Sequence, residues 1–457
     1  MKQKLTRFLR FCATGAAVAL ALVLAGCITK RIVWSPNGSH AAILSDQGLY
    51  LCDTNGRLSS LLVTNVVLAE WFPDSRRLAL AIRVGCKSWP ELEKLLDTHE
   101  RERIKLAGEH VLNKLRAGAE FNVTLASDEN LDSREKNLLG VYLRSLEATK
   151  PLVGTNWSFL EAIEVNINTL RIATVSKNSL SLGAALTTGL DDLQDLRVSP
   201  GGAAIACTTS TAREHEYQLL MVPADNSQSP KLIADGTAAY PDWSADGRSL
   251  IYIKAAHSPA NGEEIVLASL SRRTVLDPGG KMNIQEKAED LAGLVFDEYG
   301  RVRSLPDGRI LFSAMDLHLP VTKDDVPQRG QLFALDPDRQ ATITRIIPLG
   351  RLSDVPENAN LFEISPDGRR ISFLGDKHRV SIFTLATGSV DNLQSPVDVQ
   401  GGDSLPTWRS NEELCFIAFS GTNLATEPAQ AVLWRAGEKR ILSADWPKDV
   451  RKGLLDP

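Results

Sequence analysis

Short apolar-rich runs with a period near two recur along the chain, and each follows the same small polar break. Leu250-Ile251-Tyr252-Ile253 and Ile371-Ser372-Phe373-Leu374 are two such runs, and that period marks a strand. The break begins with Trp or another apolar residue and continues as Ser-Pro-Asp-Gly or a variant of it. Seven copies are present, starting at Trp34, Trp71, Val198, Trp243, Leu305, Ile364 and Trp408. The residue types have a mechanism. Proline presets φ for a tight turn, Asp or Asn bonds the local backbone, and Gly accepts the left-handed position that closes a hairpin. Each copy therefore predicts a strand, a turn and a second strand.

A third strand-like run follows in most copies: Leu49 to Cys52, Gln218 to Met221, Glu264 to Leu267, Gln331 to Ala334, Val380 to Phe383 and Ala431 to Trp434. A further short run fits before the next copy, as at Leu58 to Val63 or Lys231 to Ile233. Four strands per repeat is the content of a propeller blade, and most intervals between copies suit one blade with loop extensions. The expected fold is an all-β propeller of seven four-stranded blades over residues 27–445. Six blades follow if Trp408 to Trp434 joins the N-terminal strand, and eight if Trp157 to Leu196 hides a degenerate copy. The W-S-P-D-G signature resembles that of the TolB-like propellers, a WD40-like repeat. Asn37, Ser75, Gly202 and Arg409-Ser410-Asn411 depart from it. There is no match to the separate N-terminal α/β domain of TolB.

The interval after Trp71 carries an insertion. Residues 89–150 break the β pattern with a stretch rich in Glu, Lys, Arg, Leu and Ala. Leu92, Leu95, Leu96, Ile104, Val111 and Leu115 form one apolar stripe. Ser127-Asp128-Glu129-Asn130 reads as a helix start, with Leu138, Leu139, Tyr142, Leu143 and Leu146 on a second stripe. Lys150-Pro151 is expected to end it. The reading is a helical hairpin from blade two, either a cap on its own propeller or a docking surface. Residues 446–457 are left as a C-terminal tail.

Residues 1–26 read as an export signal. Lys2, Lys4, Arg7 and Arg10 precede an apolar run from Phe11 to Leu24, shorter than the ~20 residues that span a bilayer. Small residues mark the cut. Leu24-Ala25-Gly26-Cys27 resembles the lipobox of bacterial lipoproteins, which implies lipidation of Cys27. Stable anchoring takes more than one acyl chain, and a lipoprotein head group carries two or three. In lipoproteins of the enteric type, Asp after the cysteine favours inner-membrane retention. Ile28 stands there instead, which points to the outer membrane.

Composition narrows the function classes. The 457 residues are 43% hydrophobic and 23% charged, with a formal net charge of −5, and loss of the cationic leader makes the mature chain more acidic. That disfavours nucleic acid and a polybasic grip on anionic lipid. Cys52, Cys86, Cys207 and Cys415 form no CxxC and read as small buried side chains. No GxSxG elbow, HExxH, phosphate cradle or EF-hand spacing is present. Gly201-Gly202, Gly279-Gly280 and Gly401-Gly402 are loop glycines, and Asp191, Asp192, Asp195, Asp324 and Asp325 read as solvated turns. No catalytic residue, metal or cofactor is assigned. The expected function is a non-enzymatic binding or scaffolding protein of the cell envelope, held to the membrane by lipid, with other envelope proteins as partners. The alternatives are a propeller lyase or hydrolase with its site in the central funnel, gathering such residues as His215, His257, His318 and His378, and a sensor of a small ligand in that funnel.

Overall fold

A computed structural model describes residues 30–121, 131, 133–177, 179–190, 192–210, 217–238, 240–256, 266–296, 301–314, 331–339, 342–346, 362–374, 380–393, 404–418 and 429–454. Cys27 and the leader lie outside them, as do the proposed helix start at 127–130 and the strand residues Glu264 and Ile265.

Among the described residues, strands pair into five four-stranded antiparallel sheets and one of eight. The eight are two four-stranded units joined only at Thr237 and Lys254. The chain thus folds as a β-propeller of seven blades. The span from Trp157 to Leu196 adds no eighth copy: it completes blade two with Val165–Ser176 and Ser179–Leu190. Strands within a blade pair in chain order. The innermost are Ile32–Trp34, Val66–Trp71, Leu193–Val198, Asp242–Trp243, Val302–Ser304, Phe362–Ile364 and Thr407–Trp408.

Apolar burial between blades holds the ring. A separate buried cluster fills each of the seven blade-to-blade interfaces, for example Leu44 and Leu51 of blade one against Leu78 and Leu80 of blade two. The last such cluster joins blade seven back to blade one through Ile417 and Leu433 against Ile32 and Ile43. Cys52, Cys207 and Cys415 are buried free thiols within these cores, Cys86 is one in the core beneath the insertion, and burial pushes Cys52, Cys207 and Cys415 up to about 12.

The signature turn also works across blades. Trp71 Nε1 donates to Val33 O of the preceding blade at 2.8 Å, Trp243 Nε1 to Arg197 O at 2.9 Å and Trp408 Nε1 to Glu363 O at 3.3 Å. Within the turns, Asp246 Oδ1 accepts from Arg248 N and Ser244 Oγ accepts from Ser249 N. Asp367 and Ser365 repeat that arrangement. The departures keep the geometry: Asn37 Oδ1 accepts from Ser39 N, and Ser75 occupies the glycine position at φ +56°. Neighbouring turns nest, since Gly247 lies against Pro200 and Gly368 against Pro306. All seven turns therefore share one face of the ring, the turn face. Gly368 has φ +70°, and a Cβ there would sit 2.5 Å from Pro306 Cδ. Gly368→Ala is expected to cost about 1–3 kcal/mol, read from the urea midpoint. A loss below ~0.5 kcal/mol would remove the nesting argument.

The insertion enters between the second and third strands of blade two, Arg77–Cys86 and Val165–Ser176. It contains α1 (Trp89–Leu92), α2 (Thr98–Arg116), α3 (Ser133–Ser145), α4 (Thr149–Val153) and α5 (Trp157–Ala162). The helical region extends past Lys150-Pro151 to Ala162. Pro151 lies in the first turn of α4, where its missing N–H has no intrahelical partner to lose. The predicted stripes pack together: Leu92, Leu96, Ile104, Val111, Leu115, Leu138, Leu139 and Leu143 form one core continuous with Cys86, Val165 and Ile167 of blade two. Those stripes face the protein itself, as a cap requires. The C-terminal segment is also structured. α6 (Lys448–Lys452) and the residues flanking it pack Trp446, Val450 and Leu454 into the seam between blades seven and one.

Candidate functional site

The propeller axis is lined by charge. Lys30 precedes the first inner strand, and those of blades two to six contribute Glu70, Asp195 with Arg197, Asp242, Arg303 and Glu363, with Arg301 just ahead of its strand. Glu363 is the hub. Its carboxylate lies 3.0 Å from Lys30 Nζ, 2.8 Å from Arg301 Nη1, 2.9 Å from Arg303 Nη2 and 3.5 Å from Arg197 Nη2. Arg197 Nε also pairs with Asp195 at 3.0 Å, Asp242 Oδ2 accepts from Ser304 N at 2.8 Å, and the Arg301 guanidinium stacks 4.1 Å from the Tyr240 ring. Four cations face four carboxylates.

Burial sets the proton affinities. It pushes Glu363 up, but Lys30, Arg197 and Arg301 outweigh it and hold the carboxyl below its usual value. Burial lifts Asp242 to about 6 against the pull of Arg197 and the Ser304 N–H. It lifts Glu70 as well, opposed by Lys30 and Arg197. Charged groups in a low-dielectric interior need partners, and the ring supplies them from different blades.

The charges fill the middle of the ring. Among the described residues, a cavity of about 20 Å³ lies beside Lys30, Glu70, Gln194, Asp195, Tyr240 and Arg301, room for roughly one water. Larger spaces lie on the turn face at the rim. One of about 390 Å³ is lined by Arg77, Gly202, Pro223, Asp225, Gln228, Lys281 and Met282. Its neighbour, about 320 Å³, shares Arg77, Ala224 and Asp225 and reaches Thr174, Ser181 and Leu186. Ligand pockets are commonly ~300–1,000 Å³. The second cleft borders the outermost strand of blade two, Ser179–Leu190, which has no charge and no proline. Among the described strands, every other outermost strand longer than two residues carries a charge. Such an edge is a ready template for strand addition.

The funnel histidines His215, His257, His318 and His378 lie outside the described residues. Among the described residues no group of three or more His, Cys, Asp or Glu is placed to hold a metal. Of the carboxylates expected in turns, Asp192 pairs with Arg83 at 3.2 Å, whereas Asp195 belongs to the axial network. Asp191, Asp324 and Asp325 lie outside the described residues.

No protein-family profile matches the chain, and no characterised protein matches it in sequence. Solved propellers resemble it in structure. The β-propeller domain of Myceliophteria thermophila Cps50 (Swd1) is 11% identical at TM-score 0.44, covering 90% of this chain and 97% of that one. An oligogalacturonate lyase in complex with manganese is 11% identical at TM-score 0.41, covering 78% and 76%. The β-propeller domain of the trilobed protease from Pyrococcus furiosus is 14% identical at TM-score 0.40, covering 61% and 75%.

Proposed function

We propose that this chain is a non-enzymatic, lipid-anchored propeller of the bacterial cell envelope that binds other envelope proteins, with Cys27 as its lipidated residue. The observation that carries the non-enzymatic part is the occupied axis. Where a funnel enzyme holds substrate, the described residues of this ring place mutually paired side chains around Glu363, with a space of about 20 Å³ beside them. The turn-face clefts and the uncharged edge strand Ser179–Leu190 support protein binding at the rim, since a strand edge offers its backbone to an extended partner. The Leu-Ala-Gly-Cys27 sequence supports the anchor, Ile28 supports the outer membrane, and the W-S-P-D-G turns support kinship with the TolB-like propellers.

Cys27→Ser separates the anchor from the fold. The variant is expected in the soluble fraction or as uncleaved precursor, while the wild type sediments with membranes and its first mature residue bears acyl mass. An unchanged membrane fraction for the variant overturns the anchor. Cross-linking in intact envelopes followed by mass spectrometry tests the binding role. Recurrent envelope-protein cross-links at the rim of blades two and three support it, and their absence there defeats it.

A further inference from the structure

The ring's connectivity decides which way an anchored propeller faces. The inner strand of blade one runs from Lys30 towards the turn at Trp34. Blade two's inner strand runs the same way, because the turns of the two blades touch: Asn37 N donates to Ser75 Oγ at 3.1 Å. Arg77–Cys86 then returns antiparallel to the opposite face, where Cys86 opens into the helical insertion. Lys30 and the insertion therefore share the face opposite the turns, the connection face.

The chain is pinned where it reaches that face. Lys30 is bonded to the axial Glu363, and Arg31 N donates to Ser404 Oγ at 3.0 Å. Cys27 is three residues before Lys30, so its Cα lies at most ~11 Å from the Lys30 Cα. The headgroup layer occupies about 5–8 Å on each side of the hydrocarbon core. Acyl chains on Cys27 thus leave no room for the ring to stand on its rim or to turn over, because the tether starts at the axis and not at the edge.

We infer that the connection face, with its helical insertion, lies against the lipid headgroups with the propeller axis near the membrane normal. The turn face and its two clefts then point away from the membrane towards soluble or peptidoglycan-side partners. This rests on lipidation of Cys27. It assigns the insertion to the membrane side and the protein-binding role to the opposite face.

The test uses the acylated, full-length mature protein in phosphatidylethanolamine–phosphatidylglycerol vesicles containing brominated phospholipid. The native thiols Cys52, Cys86, Cys207 and Cys415 are buried, so single exposed cysteines take a fluorophore selectively. Lys87→Cys and Asp46→Cys report on the connection face, and Arg369→Cys and Glu412→Cys on the turn face. These side chains are exposed, Lys87 by 74% and Arg369 by 81%. The expected result is loss of fluorescence at Lys87→Cys and Asp46→Cys and none at the turn-face pair. A flexible Gly-Ser segment of ~20 residues after Thr29 should restore it. Equal or reversed quenching in protein whose acyl mass is confirmed overturns the orientation alone. Absence of acyl mass overturns the anchor and the orientation with it.

Discussion

Glu363→Gln will lower the stability of the propeller by about 3–5 kcal/mol, the scale for removing one partner from a buried ion network. The substitution keeps the size of the side chain and removes its charge. Arg301 and Arg303 are 1% and 4% exposed, so bulk solvent does not reach them to replace what they lose. They come from blade five, Arg197 from blade three and Lys30 from before blade one, and all meet the one carboxylate. The loss should therefore weaken the whole ring, with a lower urea midpoint and an unchanged m-value. The pH dependence has a definite sign. Glu363 is held below its usual value, so its contribution is complete above the unfolded-chain value of about 4.3 and disappears as pH falls through the lower folded value. The variant should lack that acid-side loss and approach the wild type at low pH. A drop below ~1 kcal/mol at pH 7 would mean the axial charges are satisfied without their hub.

The blades were readable because their information is local. A Ser-Pro-Asp-Gly turn closes within a few residues, and Asp246 or Asp367 bonds a backbone N–H two positions away. Nothing distant is needed to recognise it, and even Ser75 keeps the left-handed conformation its position demands. The axial network is the reverse case. Lys30, Glu70, Arg197, Asp242, Arg303 and Glu363 are scattered along the chain and meet only once seven blades close into a ring. A signal was present nonetheless. Glu70, Arg197, Asp242 and Glu363 each stand directly before the first residue of a signature, and Arg303 stands two before Leu305. A charge at that point of an otherwise buried strand marks the axis. Asp195 and Arg301, two residues earlier than Arg197 and Arg303, share their face by the strand period. The C-terminal segment carries no such signal, because a five-residue helix has no periodicity to detect. Its apolar residues Trp446, Val450 and Leu454 acquire meaning only against the seam they cover.

That seam is where the second large effect is expected. Blade one begins with its innermost strand, and blade seven ends with its outermost, Glu438–Ile441, so among the described residues no strand crosses between first and last blades. Closure falls to side chains and a few hydrogen bonds. Arg409 Nε donates to Gly38 O at 3.0 Å, Arg440 Nη2 to Thr54 O at 2.8 Å and Gln47 Nε2 to Asp449 Oδ2 at 2.9 Å. Trp446 combines both kinds of contact. It is buried in the shared cluster, and its Nε1 donates to Gly56 O at 2.7 Å. Trp446→Ala should cost about 3–5 kcal/mol, through lost burial and the cavity left behind. Trp446→Phe refills most of that space and removes the donor, so its loss should be about 1–3 kcal/mol. Trp157, half-buried on the insertion, is the control, and Trp157→Ala should change stability by under ~1 kcal/mol. Chemical unfolding of the three variants, with unfolding rates, gives the order. If Trp446→Ala unfolds no faster than Trp157→Ala, the C-terminal helix is not what keeps blade seven on blade one, and the main-chain and arginine bonds of the seam must hold the ring by themselves.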